Sequence, residues 1–239
     1  MKKHLFLLFI ICASISSISH AQIVQKGTST LQIGYGFPSA MQIVGSVFKY
    51  SVVTDDEEAS AEFKFKGLGP FHFRYDYMIG GRVGLGISSN AEFGNFNFKA
   101  NYNDIDDNNI TSETNFKYTS INAMARMNIH FIKEPKTIDI YYGFGVGYSY
   151  TRVNLEEKLG GNLVDPENQA YVDDFNKYLN SVFKALPIAI EEVFGLKAPI
   201  GQNAGIYFEI GYSKALAQVG FFAKIGGPKG YKRDNWRWY

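Results

Sequence analysis

The chain has 239 residues and nearly balanced charge, with 24 Lys and Arg against 23 Asp and Glu, so it lacks the basic excess typical of nucleic-acid-binding proteins. Aromatic residues make up 16% of it, and glycine is abundant. Beyond the first residues no apolar run approaches the roughly eighteen residues of a spanning helix, which excludes a helical membrane protein.

Residues 1–21 predict a cleaved secretory signal. Lys2 and Lys3 give a basic start, Leu5–Ala13 an apolar stretch, and Ser19–Ala21 a cleavage site of two small residues flanking a third. Cys12, the single cysteine, lies inside this segment. We therefore expect the remaining chain, 22–239, to form one domain without a disulfide or a cysteine-based metal site.

Alternation of apolar with small or polar residues recurs along the chain. In 137–152, TIDIYYGFGVGYSYTR, Phe144 and Tyr148 share one face, whereas Gly145 and Gly147 share the other. This period of two is typical of a strand with one apolar face, and about 9–11 tilted residues suffice to cross a bilayer. The pattern predicts eight strands, at about 30–37, 71–79, 82–93, 116–132, 137–152, 188–200, 205–212 and 216–225.

The connections between these strands alternate in length. Long ones fall at about 38–70, 99–115 and 153–187, and short ones at 80–81, 133–136 and 201–203. The connection at 213–215 is short although it belongs to the long series. Long loops at one end and tight turns at the other, with an even strand number, predict an all-β, antiparallel up-and-down transmembrane β-barrel.

The third long loop contains a predicted helix. Asp165 can cap a helix and Pro166 suits its first position, which predicts an amphipathic helix over about 166–185 in the third long loop. Its apolar stripe comprises Tyr171, Phe175, Tyr178, Leu179, Val182 and Leu186. We expect this helix to rest on the barrel rim; the alternative is a helix that binds a partner or the membrane surface.

The other two long loops are acidic, at 55–58 and 104–109, and are predicted to be solvated tips. Asp104, Asp106 and Asn108 have the spacing of a calcium loop, but the glycine and the closing glutamate of such a loop are absent at Asn109 and Asn115. No metal site and no cofactor is predicted.

The volume of the apolar side chains indicates which face points outward. An eight-stranded interior is just wide enough for side chains to fill, and it cannot hold so many Phe and Tyr rings. The apolar face is therefore expected to contact lipid, and the alternative, a secreted lipocalin-like ligand-binding barrel with its apolar face inward, is disfavoured. An aromatic girdle is predicted where strands meet the long loops, at Tyr35, Phe37, Phe71, Phe73, Tyr148, Tyr150 and Tyr212.

The inward face carries charges of both signs. In so narrow a lumen they should pair, which predicts a polar plug rather than a conducting pore. This network comprises Arg74, Asp76, Glu92, Arg126, His130, Asp139, Glu191, Lys197, Glu209 and Lys224. A turn centred in 133–136 places His130 directly opposite Asp139, and we interpret this pair as a structural clamp.

Two motifs resemble a known family. The segment GFGVGYSY at 143–150 and the closing pair GIYFEIGYSKALAQVGFFAKI at 205–225 resemble the small outer-membrane β-barrel proteins of Gram-negative bacteria. The resemblance implies insertion by the barrel assembly machinery, periplasmic termini and loops at the cell surface. It departs at the C terminus, because 226–239 follow the last strand, where family members end on an aromatic residue.

The functional hypothesis is a non-enzymatic barrel with a structural or surface-interaction role, whose extracellular loops contact any partner. The alternative is a lipid-modifying outer-membrane enzyme, which needs a base beside a nucleophile. His72, with Ser88, Ser89 and Glu92 on the neighbouring strand, is the candidate group. A polar lumen histidine accounts for His72 more simply.

Overall fold

The computed structural model describes residues 25–53, 61–103, 109–132, 138–160, 162–163, 166–201 and 203–227. Several predicted features lie outside these residues: the signal at 1–21, the acidic segments at 55–58 and 104–108, the turn at 133–136 and the tail from 228 to 239.

The described chain forms nine strands and two helices. The strands are β1 (Ser29–Ser39), β2 (Ala61–Met78), β3 (Val83–Asn103), β4 (Asn109–His130), β5 (Asp139–Leu159), β6 (Asn162–Leu163), β7 (Ile188–Pro199), β8 (Ala204–Tyr212) and β9 (Ala215–Gly226). The helices are α1 (Ala40–Val53) and α2 (Pro166–Ala185). Among the described residues no helix is long and apolar enough to cross a membrane.

Eight of the strands close into a ring. Each pairs antiparallel with its neighbours in sequence, β5 pairs with β7, and β1 pairs with both β2 and β9. The two-residue β6 pairs with β5 outside the ring. Closure gives every ring strand two partners, which is the condition for a sheet in lipid. The predicted eight-stranded, antiparallel up-and-down barrel is confirmed.

The two ends of the barrel differ in their connections. At the short-turn end, 79–82, 131–138 and 200–203 join strands, and Ser29 lies opposite Gly226 there. At the opposite end, the long-loop end, lie α1, α2 and the brief turn at Ser213 and Lys214. The predicted loop helix at 166–185 is confirmed as α2, whereas α1 was not predicted.

Strand length divides the barrel into two parts. β2–β5 have 18, 21, 22 and 21 residues, whereas β1, β7, β8 and β9 have 11, 12, 9 and 12. About nine additional residues per strand project roughly 30 Å along the strand direction. We call this projection, residues 61–70, 94–103, 109–118 and 152–159, the extension, and the remaining ring strands the ring wall. The predicted strand ends at 71, 93, 116 and 152 are wrong, because the strands continue there.

Sequence analysis did not predict the extension, because its apolar side chains lie on the inner face and not, as in the ring wall, on the outer face. In the ring wall large apolar side chains such as Ile87 and Phe144 point outward and are exposed, whereas Gly145 is buried. In the extension, phenylalanine rings occupy the inner face, and the Phe96 ring centroid lies 4.7 Å from that of Phe65 and 5.9 Å from that of Phe116. The outer face of the extension carries ion pairs, with Lys64–Glu62 at 2.6 Å, Lys99–Glu113 at 3.3 Å and Lys117–Glu156 at 2.9 Å.

Both helices contact the extension. Helix α1 begins with a reciprocal cap, since Gln42 N donates to Ser39 Oγ at 3.0 Å and Ser39 N donates to Gln42 Oε1 at 2.8 Å. It passes so close to the ring of Phe96 that a Cβ on Gly45 would overlap that ring.

Helix α2 covers an open strand edge. Beyond Tyr148 the β7 side of β5 has no ladder partner in β7, and the backbone groups of Val153 and Leu155 need other partners. Asn180 donates to Val153 O at 2.7 Å and accepts from Val153 N at 3.0 Å, and Asn176 does the same for Leu155 at 2.8 and 2.6 Å. Four helical residues rise about 6 Å and two strand residues about 6.6 Å, so the two spacings match.

This docking corrects the predicted contact of α2. The helix faces β5 through the buried Val172 and the two asparagines, whereas most of the predicted apolar stripe is exposed, with only Leu179 half-buried. The reason is that an open β edge requires hydrogen-bonding partners, which asparagine supplies and an apolar side chain does not.

Candidate functional site in the barrel lumen

Four fully buried charges meet at the centre of the ring. Arg74 on β2, Arg126 on β4, Glu191 on β7 and Glu209 on β8 come from different parts of the wall. Arg74 Nη1 lies 2.6 Å from Glu209 Oε2 and its Nη2 lies 3.2 Å from Glu191 Oε2. Arg126 Nη2 lies 2.7 Å from Glu209 Oε1, and its Nη1 contacts Glu191 Oε1. We call this group the charge quartet; its two positive and two negative charges balance.

Neutral side chains add hydrogen bonds to the quartet. Tyr141 Oη donates to Glu209 Oε1 at 2.6 Å, Arg74 Nη2 donates to Gln218 Oε1 at 2.9 Å, and Arg126 Nε donates to Asn128 Oδ1 at 2.7 Å. Removal of charges from water costs several kcal/mol per ion, and such additional bonds offset part of it.

The inner wall leaves room for these long side chains through its glycines. A Cβ at Gly143 would overlap the guanidinium of Arg126. At Gly143 the small inner face of β5 therefore provides volume for arginine.

A second buried group lies toward the short-turn end. His130 Nδ1 is 2.8 Å from Asp139 Oδ2, and Lys197 Nζ is 3.6 Å from Asp76 Oδ2. The predicted register is wrong, because the direct partner of His130 is Tyr141 and Asp139 reaches it diagonally. A shift of two residues keeps both side chains on the same face, so the contact forms despite the different register.

A third group lies at the long-loop end, around Lys214, which sequence analysis missed. Lys214 Nζ donates to Ser120 Oγ, and Ser120 Oγ lies 2.7 Å from Thr151 Oγ1. Burial lowers the pKa of Lys214 to about 8, although the nearby carboxylate of Glu92 partly opposes this. Ala40 N donates to Lys214 O at 3.0 Å, so the turn between β8 and β9 is fastened to the start of α1. The available sequence signal was one lysine in an otherwise neutral turn.

The other predicted site residues are placed as follows. Glu92 is buried, and Lys224 is half-buried at the short-turn end of β9. The predicted girdle residues Tyr35, Phe37, Phe71, Phe73, Tyr148, Tyr150 and Tyr212 are exposed. The ring of Tyr35 contacts that of Phe71 edge-on, with centroids 5.6 Å apart.

The structure does not place either candidate nucleophile, Ser88 or Ser89, directly opposite the candidate base His72. His72 pairs across the strands with Asn90, Ser88 pairs with Arg74, and Ser89 faces outward opposite Phe73. Neither serine is the direct cross-strand neighbour of His72. Within the described residues no group of three or more His, Cys, Asp or Glu could hold a metal ion.

Comparison with known proteins found similarity among solved structures. OprG, an outer membrane protein from Pseudomonas aeruginosa, matches with 11% identity and a TM-score of 0.34 over 86% of this chain and 96% of OprG. Ail, the attachment invasion locus protein of Yersinia pestis, matches with 13% identity and a TM-score of 0.30 over 84% of this chain and 96% of Ail. Ail in complex with the heparin analogue sucrose octasulfate matches with 15% identity and a TM-score of 0.28 over the same shares. No family model matches the chain. No curated protein matches it.

Proposed function

We propose that this protein is a non-enzymatic outer-membrane barrel with a sealed lumen, whose long-loop end is exposed at the cell surface and carries a structural or interaction role. The observation that carries the proposal is the charge quartet, because its four fully buried side chains connect β2, β4, β7 and β8 across the lumen.

Membrane location is supported by the ring wall. Most of its outward side chains are large, apolar and exposed, an arrangement that would be unfavourable in water over so large a surface. The twelve residues of β7 measure about 40 Å along the strand and about 30 Å along the barrel axis at a tilt near 40°. This height suits the apolar band of an outer-membrane barrel.

Orientation follows from the two ends. The first strand begins and the last strand ends at the short-turn end of the barrel. We assign this end, with both termini, to the periplasm. The signal at 1–21 would direct export, and the barrel assembly machinery would insert the chain. The extension, with its ion-paired outer face, then stands in water outside the cell.

A sealed lumen predicts a specific electrical behaviour. In planar bilayers the wild-type protein should show no stepwise ion conductance, since the quartet fills the lumen with paired side chains. The double variant Arg74→Ala/Glu209→Ala removes one charge of each sign and should conduct. Its matched control is Lys117→Ala/Glu156→Ala, which removes an exposed ion pair of the extension and should stay closed.

Stable, uniform channels in the wild-type protein would contradict the sealed lumen. Location is tested separately, by fractionation and by the gel mobility of unboiled samples. Recovery as a soluble periplasmic protein would contradict the barrel's membrane location. Among the described residues neither Ser88 nor Ser89 lies directly opposite His72, so nothing there supports the lipid-modifying alternative.

A further inference from the structure

Helix α2 leaves an apolar face uncovered. Tyr171, Phe175, Tyr178, Val182 and Leu186 recur at helical spacing and are 72, 47, 66, 43 and 70% exposed. An amphipathic helix ordinarily buries such a stripe against its own protein. Here the asparagine-bearing face makes the contact with β5 instead. We call these five residues the α2 stripe.

The α2 stripe continues into the ring wall. Leu186 is two residues before Ile188, the first outward residue of β7, and Ile188 lies directly opposite the outward Tyr148. Along β5 the outward face changes from Tyr150 to the exposed Arg152, so the apolar wall ends there. On the α2 side, Tyr178, Phe175 and Tyr171 place exposed apolar side chains beyond that level.

The direction of α2 determines how far this surface extends. The paired asparagines align the helix axis with β5, and the fifteen residue-to-residue steps from Tyr171 to Leu186 rise about 22 Å. If the helix shares a strand tilt near 40°, the stripe extends about 17 Å along the barrel axis from its lower end. Leu186 lies lowest, and Tyr171 lies highest.

The charges on the helix follow the same gradient. Lys184 lies in the last turn of α2, whereas Asp173 and Asp174 lie in its upper half. Cations at the lower end suit anionic lipid headgroups, and carboxylates are kept farther from them. Tyrosine and phenylalanine are also the side chains that favour the interface between lipid and water.

We propose that the lower part of the α2 stripe binds the outer leaflet of the membrane, with Leu186 and Val182 at the acyl boundary and Tyr178 among the headgroups. This inference rests on the proposed membrane location and names lipid as the partner of the α2 surface. The helix then anchors the extension to the bilayer on one side of the barrel.

Depth-dependent quenching tests the contact. The two tryptophans of the chain, Trp236 and Trp238, are first replaced by phenylalanine, and one tryptophan is introduced by Leu186→Trp, Tyr178→Trp or the control Lys177→Trp. The variants are reconstituted in vesicles of phosphatidylcholine and phosphatidylglycerol with brominated or ordinary acyl chains. Unboiled gel mobility verifies that each barrel is folded.

The expected result is a graded loss of emission in brominated lipid. Leu186→Trp should be quenched about twofold or more, Tyr178→Trp by a smaller but clear fraction, and Lys177→Trp almost not at all, because it lies off the stripe. The comparison of Tyr178→Trp with Lys177→Trp is decisive, since Leu186 adjoins the ring wall in any case.

Equal, negligible quenching of Tyr178→Trp and Lys177→Trp in folded barrels would overturn the proposal. A single-cysteine Tyr178→Cys variant then tests the other occupant, because disulfide-linked dimers in vesicles would assign the stripe to a second copy. Neither result affects the proposed location or sealed lumen, which would fail instead through soluble fractionation or wild-type channels.

Discussion

The ring wall and the extension are built from the same strands, β2–β5, yet they place apolar side chains on opposite faces. In the ring wall Phe144 and Ile121 point outward, and charged groups such as Arg126 fill the interior. In the extension Phe96 and Phe116 point inward, and lysines point outward. The proposed media, lipid around the ring wall and water around the extension, would account for the difference, because lipid favours apolar side chains outside and water favours them inside.

The strands reverse polarity in two ways. In β2 a bulge shifts the register between Leu68 and Phe71, so that Phe65 faces inward although Phe71, also odd-numbered, faces outward. In β5 the pairing continues without a shift, and the composition changes instead, from outward Tyr150 to outward Arg152 with Val153 buried.

The largest expected effect separates the two kinds of charged group. Glu209→Leu leaves both arginines of the quartet dependent on Glu191, and we expect it to lower the free energy of unfolding by about 3–5 kcal/mol. Its counterpart in the extension, Glu156→Leu, breaks the exposed pair with Lys117 and should cost about 0–1 kcal/mol. Urea unfolding in detergent micelles measures both, and equal losses would contradict the distinction between buried and exposed pairs.

An arginine scan along one face of β5 tests the change of medium. Phe144→Arg places a charge in the apolar wall and should cost about 2–4 kcal/mol in lipid vesicles. Asn154→Arg, on the same outward face of the extension, should change stability by less than about 0.5 kcal/mol. Reversible unfolding in vesicles provides the measurement. A large cost at Asn154 would extend the apolar environment beyond Arg152.

The asparagine contacts of α2 test whether the extension depends on its covered edge. Asn180→Ala should release the Val153 amide and lower the local stability of the extension by about 1–2 kcal/mol. The readout is faster hydrogen exchange at Val153 with unchanged exchange in the ring wall. The control is Lys177→Ala on the exposed side of α2, and unchanged exchange at Val153 in Asn180→Ala would remove the docking role.

The smallest expected effect concerns Lys214, which lies where the two parts meet. Burial lowers its pKa from 10.5 to about 8 in the folded protein, so between these pH values the unfolded chain binds more protons. The free energy of unfolding should therefore rise with pH across this window, by about 1 kcal/mol after allowance for solvent screening. Unfolding at pH 8, 9 and 10 measures it, and Lys214→Met should lack this component. The same slope in both proteins would assign it to other groups.

Prediction from sequence succeeded where the residue pattern within a single strand or helix indicates its structure. The alternation in 143–150 predicted strand β5 and its facing, and the spacing after Pro166 predicted α2. It failed where the inner and outer faces of a strand can be assigned only if one knows whether lipid or water surrounds that part of the barrel. The phenylalanines at 63 and 65 were assigned to a loop, and those at 96 and 98 lay beyond the predicted strand end at 93, because a strand with its apolar face reversed breaks a pattern defined by the ring wall.

The sequence by itself determined the barrel strands, their antiparallel order and the residue types inside, because alternation and loop length are local properties. Only the tertiary structure decided which charges meet. Arg74 contacts Glu191 and Gln218 across 117 and 144 residues of sequence, and such pairings depend on ring closure. The register of His130, the phase of β2 beyond its bulge and the face that α2 presents to β5 were likewise decided in three dimensions. For α2 the deciding partners are the backbone groups of Leu155 and Val153, which lie 21 and 27 residues from the asparagines that bind them.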